Sequence, residues 1–527
     1  MIRCPRGAPQ PRQAASCRPR FPAKKPDLRQ TSEMDVTARA PEQSLVPVVI
    51  CAPEHRRALL WAAILASSMG FIDSSVTANA LPAMRAALGA SLPQAQWFSG
   101  IYLLALTALI LVGGALGDRF GTARGFGLGI VLFTVSSLGC ALARGPEAMI
   151  LARGLQGVAA ALMVPGSMAL IGRAFPREER GAALGLWAAA SIATASAGPV
   201  VAGLCLMVDP VAGWRWIFAL NLPLGAVSLW LLARFALPDP GRPGVPIDFV
   251  GAGLATAGFG LVAYGLSAET GESLVLMAVG FAVLAGFLLW EARCPAPMIR
   301  LSMFRVRRFS AINLATFLLY FAVTGIGFYL PMTAVSAWGA DALAMVAAFL
   351  PGALMIALLS TRMGKLADRL GPARFLVVGA LLVAVAQAGL AVTAHEALYW
   401  TRAVPLMWLS GFGMALLVAP LTTVVMTSAS DADQGTASGI NNAVARAASL
   451  LAVALMGRMA AAGYGAIGAE TPGFGVIASA PAHIAATGAG FGHIAALAAL
   501  ASLASAIVSA WGLRRGGPQA GQLTARR

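Results

Sequence analysis

From Leu59 to Leu513 the chain alternates long apolar runs with short polar turns. Each run approaches the roughly 20 residues that a helix needs to cross the hydrocarbon of a bilayer. The pattern predicts spans at 58–80, 96–116, 125–143, 147–171, 181–206, 216–237, 249–268, 273–292, 310–331, 341–362, 374–394, 400–424, 436–460 and 491–513. That makes about fourteen helices by the length criterion. The Gly/Ala-rich segment 461–490 reads as an external loop or a partly ordered hairpin. Residues 1–56, rich in Arg and Pro, carry no apolar period and read as disordered, with Met34 a plausible start.

One polar turn recurs. Gly113-Gly114-Ala115-Leu116-Gly117-Asp118-Arg119-Phe120-Gly121-Thr122-Ala123-Arg124 aligns without a gap on Met363-Gly364-Lys365-Leu366-Ala367-Asp368-Arg369-Leu370-Gly371-Pro372-Ala373-Arg374. A repeated loop between membrane-length segments points to a duplicated bundle. Both copies must lie on one face, so an even number of spans separates them. The pattern places eight there, two more than a six-plus-six duplication needs. The surplus pair is 249–268 with 273–292, following the Pro/Gly-rich stretch Pro238–Gly244. The expected organisation is an N-terminal bundle at 57–237, a linker with two inserted helices at 238–309, a C-terminal bundle at 310–513 and a tail at 514–527.

Composition supports lipid as the solvent. Of 527 residues 58% are hydrophobic and 11% charged, against about 25% charged in an ordinary soluble domain. A net charge of +16 would suggest nucleic acid in a soluble protein. Here the arginines crowd into alternate short loops. With the N-terminus inside, the inner segments hold Arg119, Arg124, Arg173, Arg177, Arg180, Arg305, Arg307, Arg308, Arg362, Lys365, Arg369 and Arg374, among others. The outer segments hold only Arg85, Arg144, Arg215, Arg402 and Arg458. The positive-inside rule then puts both termini inside and leaves no nucleic-acid role. The six cysteines are scattered without a C-x-x-C pair, and the four histidines lack ligand spacing, so neither metal nor disulfide is expected. No Walker-type phosphate loop occurs, which argues against ATP hydrolysis.

Several further motifs appear in order. Asp73 lies within Ile72-Asp73-Ser74-Ser75-Val76-Thr77-Ala78-Asn79-Ala80-Leu81-Pro82; Arg153-Gly154-Leu155-Gln156-Gly157 falls in the fourth span. Gly198-Pro199-Val200-Val201-Ala202-Gly203 falls in the fifth, and Trp214-Arg215-Trp216-Ile217-Phe218-Ala219-Leu220-Asn221-Leu222-Pro223 opens the sixth. With the repeated loop, these resemble the major facilitator superfamily over residues 58–513. More narrowly the chain resembles its fourteen-span drug:proton antiporters, multidrug exporters that work with or without a periplasmic adaptor. The sequence departs at Ala202, at Thr122 and in the shift of asparagine to Asn79. The resemblance implies an all-α membrane protein of two six-helix bundles plus two inserted helices. It further implies no enzyme activity, no cofactor beyond the proton gradient, and export of amphipathic or cationic toxic compounds by alternating access. An endogenous metabolite, lipid or amino acid is the alternative cargo, and a non-transporting receptor the alternative class.

The chemistry concentrates on few residues. A carboxylate in hydrocarbon costs roughly 2.5–3.5 kcal/mol on insertion scales, so Asp73 in mid-span is read as proton-coupling or substrate-contacting rather than as a packing acceptor. Arg153, with Gln156 one turn on, needs a partner or water; snorkelling to the interface is its other reading. Asn79 joins this group. Arg446, with Asn442 one turn before it, could hold an anion or brace the bundle. Asn221, Asn313, Asn441, Tyr102, Tyr320 and Tyr329 are candidate cavity residues. Gly198, Pro199 and Gly203 permit close packing and a bend. The resemblance gives Gly114, Asp118, Arg119, Gly121 and Arg124 a gating role. In it Asp118 meets the start of the helix near Gly435-Thr436-Ala437 when the cytoplasmic side is closed. A local turn without gating is the other reading. Asp368 and Arg369 are the counterparts.

Overall fold

A computed structural model describes residues 51–513 apart from 238, 242–243, 245–246, 269–271, 342–343, 430–433 and 468–472. The expectations for residues 1–50, including Met34, and for 514–527 lie outside the described residues. The N-terminal half holds α1 (Arg56–Leu88), α2 (Leu92–Phe120), α3 (Thr122–Ala141), α4 (Pro146–Ala174), α5 (Arg177–Val208), the short α6 (Trp214–Ala219) and α7 (Asn221–Phe235). A hairpin of α8 (Phe249–Ser267) and α9 (Ser273–Glu291) follows. The C-terminal half holds α10 (Arg307–Ala337), α11 (Ala344–Leu370), α12 (Pro372–Thr393), α13 (Val404–Thr427), α14 (Gln434–Gly465) and α15 (Pro481–Gly512).

Among the described residues 13 helices are long and apolar enough to cross a membrane, with α6 and α7 acting as one span over Trp214–Phe235. To these α5 adds 32 helical residues, of which Ala197–Val208 is apolar. The protein is a multi-pass membrane protein. Between the repeated loops run α3, α4, α5, α6–α7, α8, α9, α10 and α11, so both loops occupy one face, called here the loop face.

Several boundaries differ from the sequence pattern, two of them instructively. The first span does not stop near residue 80, because α1 continues through Pro82 and ends where Gly89 turns left-handed at φ 63°. Residues 481–490 are not loop but the first turns of α15. Their Gly/Ala content, which hides the helix from a hydropathy reading, lets α15 lie close on α14, as small residues do between membrane helices.

The inserted hairpin packs on α2 and α14, at the seam between the halves. At its loop-face end Asp248 caps α8 by accepting from Gly251 N at 2.7 Å, and Trp290 Nε1 donates to it at 3.0 Å. At the far face the two halves share one apolar core, in which Leu81, Met84 and Leu206 pack with Tyr329, Met332 and Met345. Towards the loop face the packing divides. One core belongs to α1–α8, with Leu450 and Ala454 of α14 at its margin; another belongs to α10–α15. The halves thus share a core at the far face and keep largely separate cores towards the loop face.

Candidate functional site

Asp73 sits in the middle of α1 and is buried, as is Arg153 of α4. Arg153 and Gln156 are three residues apart, which puts both on one face of α4. That face meets α1. Arg153 Nη1 donates to Asp73 Oδ2, and to Gln156 Oε1 at 2.6 Å, while Arg153 Nε donates to the Phe98 carbonyl at 2.8 Å. Gln156 Nε2 donates to Asp73 Oδ1 at 3.0 Å and to Ser137 Oγ of α3 at 2.7 Å. Asn221 Nδ2 of α7 completes the chain at Ser137 Oγ, 3.1 Å away. The guanidinium also lies over the Tyr102 ring at 4.5 Å. Snorkelling is thus ruled out for Arg153: its charge is turned inward onto a carboxylate. Five helices are tied by one buried polar network, in which each charge has a partner, the condition for such a network to be tolerated in an apolar interior.

The network borders a cavity of about 560 Å³ between the halves. Arg153, Ser74, Ser75, Asn79 and Pro199 line it from the N-terminal side, with Arg446, Ser449 and Tyr320 from the other. The hydroxyls of α1 mostly satisfy themselves: Ser74 donates to Gly70 O, Ser75 to Ile72 O and Thr77 to Asp73 O. Asn79 Nδ2 donates to Ser75 O at 2.8 Å, while its buried Oδ1 has no partner among the described residues. Gly198 is where α5 crosses α1, since a Cβ there would collide with Ser75 Oγ. Pro199 follows it on the cavity wall, and Gly203 is buried one turn on.

Some expected cavity residues lie elsewhere. Asn221 is buried behind the network and faces Ser137, not the cavity. Asn313, Asn441 and Asn442 do not line the cavity either: Asn441 donates to Asn313 Oδ1 at 3.1 Å and to Thr316 Oγ1 at 2.9 Å, between α14 and α10. A shift of one residue turns a helical side chain by about 100°, which decides which asparagine meets α10. Tyr102 and Tyr320 do line the cavity, whereas Tyr329 is buried in the far-face core and donates to Val453 O. Arg215 of the Trp-Arg-Trp motif holds the α3–α4 turn, donating to Ala141 O at 2.6 Å and Ala143 O at 2.8 Å.

At the loop face Asp118 meets a partner the sequence did not suggest. Arg173, at the end of α4, donates to Asp118 Oδ1 at 2.9 Å and to Asp239 Oδ2 at 2.6 Å. Asp239 comes from the Pro/Gly-rich stretch after α7 and is buried; it also accepts from Thr122 N at 2.8 Å, capping α3. Burial alone would raise the Asp239 carboxyl, but the Thr122 and Gly241 amides and the Arg173 guanidinium outweigh it and hold it below the ordinary aspartate range. Gly121 links α2 to α3 at φ 105°, and Gly371 links α11 to α12 at φ 91°. A Cβ on Gly121 would also collide with the Asp239 carbonyl, while nothing lies within 4 Å of one on Gly371. The two loops share a backbone, but only the first is clamped. Asp368, Arg369 and Arg124 are exposed, Arg119 lies 5.6 Å from the Phe120 ring, and no ion pair reaches Asp368 among the described residues. Ser137 and Asp239 were the residues missed. Asp239 left a signal, as a lone acid in the turn-forming stretch before α8; Ser137 left none.

Comparison with known proteins agrees with this architecture. The Major Facilitator Superfamily profile matches residues 63–453. An MFS-type transporter of Mycobacterium tuberculosis is 34% identical over 427 residues, covering 79% of this chain and 71% of its own. The puromycin resistance protein of Streptomyces alboniger is 33% identical over 448 residues (80% and 85%). The tetracenomycin C resistance and export protein of Streptomyces glaucescens is 30% identical over 420 residues (77% of each). Among solved structures, a bacterial homolog of the human lysosomal transporter Spinster, inward-facing and unoccupied, superposes with a TM-score of 0.64 at 17% identity, covering 87% of this chain and 97% of that one. The E. coli xylose transporter superposes at 0.57 with 14% identity, covering 88% and 100%. With its duplicated loops, its two helical halves and a profile match across most of its length, the chain belongs to the Major Facilitator Superfamily.

Proposed function

We propose that this protein is a proton-coupled exporter that moves amphipathic toxic compounds, cationic ones among them, out of the cell by alternating access. The observation that carries the reading is the buried Asp73–Arg153–Gln156 network on the wall of the central cavity. Relatives named as antibiotic resistance and export proteins support the direction and the class of cargo. The loop face is cytoplasmic, by the arginine distribution, and both termini lie in the cytoplasm of a bacterial inner membrane. The conformation whose halves share a core at the far face and part towards the loop face is then the inward-facing one. The protein is not an enzyme and takes its energy from the proton gradient.

Asp73 is the proton carrier. While ionised it holds Arg153 and so ties α1 to α4. A proton arriving at Oδ2 from the outer side removes that attraction, and the guanidinium keeps Gln156 Oε1, the Phe98 carbonyl and the Tyr102 ring. Gln156 still holds Oδ1, so the carboxyl stays oriented while the α1–α4 tie loosens. Loss of the proton to the cytoplasm restores the tie. Coupling arises because the two protonation states stabilise different packings of one element. Asp73→Asn should abolish substrate efflux driven by an imposed pH gradient in everted vesicles while the protein remains inserted. Undiminished gradient-driven efflux by that variant would refute the carrier role.

A further inference from the structure

The middle of the spans holds three charged side chains, Asp73, Arg153 and Arg446. Arg153 takes the only carboxylate. Arg446, on α14 across the cavity, is left as a surplus cation in the membrane interior. It is half-buried and lines the cavity, and among the described residues no hydrogen bond or ion pair reaches it. A charged group at this depth is costly unless water or an opposite charge meets it. The rest of the lining holds no carboxylate: neutral polar groups such as Gln387 and Ser449 stand beside an aromatic and apolar wall of Phe328, Phe349, Met407 and Met414.

We infer that Arg446 is the recognition point for an anionic group, of the carboxylate type, on an amphipathic substrate held in the central cavity. A guanidinium presents a planar fork that binds a carboxylate through two parallel hydrogen bonds, and such charge-assisted pairs are the stronger ones. The apolar wall receives the body of the ligand. The cavity volume of about 560 Å³ falls in the range that holds drug-sized molecules. Recognition of the anion then sits on the C-terminal half, while the proton site sits on the N-terminal half. The inference rests on the export reading and deepens it, by ranking amphipathic acids ahead of matched esters and amines.

The test separates binding from transport. Purified protein in detergent is titrated with dansyl-aminoundecanoic acid, with its methyl ester and with a dansyl alkylamine of equal length. The acid should bind about 10-fold or more tightly than the ester, the gain expected of a hydrogen bond to a charged group. Arg446→Gln should erase that difference while leaving ester affinity unchanged, which also shows that the variant is folded. Arg446→Lys, keeping the charge but not the fork, should recover part of it. Equal affinity for acid and ester in the native protein, or an acid preference that survives Arg446→Gln, would overturn the inference. Vesicle efflux of the amine or ester is a separate readout: its absence for every probe would count against export, not against the binding site.

Discussion

The Asp73–Arg153 pair can be tested as a thermodynamic unit. The perturbations are Asp73→Asn, Arg153→Gln and the double variant, compared with the native protein at one pH. Removing either partner leaves the other as an uncompensated buried charge, a loss of about 3–5 kcal/mol in buried pairs. Asp73→Asn keeps an acceptor for Gln156 Nε2 but presents an amide where the guanidinium needs an anion. Arg153→Gln strands the carboxylate and also gives up the Phe98 carbonyl, 2.8 Å away, and the Tyr102 ring. If the losses were independent, the double variant would cost about 6–10 kcal/mol. It leaves no net charge behind, however, and loses mainly the cation–π contact and one backbone bond, together about 2–4 kcal/mol. The coupling should therefore be about 2 kcal/mol or more. The assay is reversible unfolding by SDS titration in mixed micelles, followed by tryptophan fluorescence. Costs that add to within about 0.5 kcal/mol, or single variants as stable as the native protein, would show that the two charges do not compensate each other.

Two further outcomes follow from the loop face. The Asp239 carboxyl is held low, so its stabilising effect is complete above the ordinary aspartate value and is lost as pH falls through the depressed folded value. The melting-temperature difference between native protein and Asp239→Asn should be constant above about pH 5 and shrink below about pH 4; a difference unaltered by acid would remove the carboxylate from the clamp. The paired glycines should differ in sensitivity. Gly371→Ala bears only the cost of its backbone conformation, about 1–3 kcal/mol, while Gly121→Ala adds a collision with the Asp239 carbonyl. Melting temperatures should fall further for Gly121→Ala, and an equal fall would deny the close approach.

By itself the sequence determined what repeats and what is local. Lipid demands that each crossing satisfy its own backbone, so every span is a helix long enough to read from its apolar run. The spacing between the Gly113–Arg124 loop and its copy exposed the α8–α9 hairpin. Asp73, Arg153 and Gln156 stood out because a polar side chain in hydrocarbon needs a reason to be there. The tertiary structure alone decided who meets whom. Periodicity places a residue on a helix but does not say which neighbour the helix presents it to. That is why Asn441 rather than Asn442 bonds to α10, why Asn221 turns away from the cavity, and why Ser137, an ordinary serine by sequence, joins the network. The Gly/Ala start of α15 packs closely on α14 and on the turn after α12, contacts no hydropathy window registers. The repeated loops, alike in sequence and backbone, are unlike in role because Asp239 and Arg173 close on the first alone. Among the described residues Arg446 is left without an ion pair by the same logic: Asp73 could serve one arginine, and the fold gave it to Arg153.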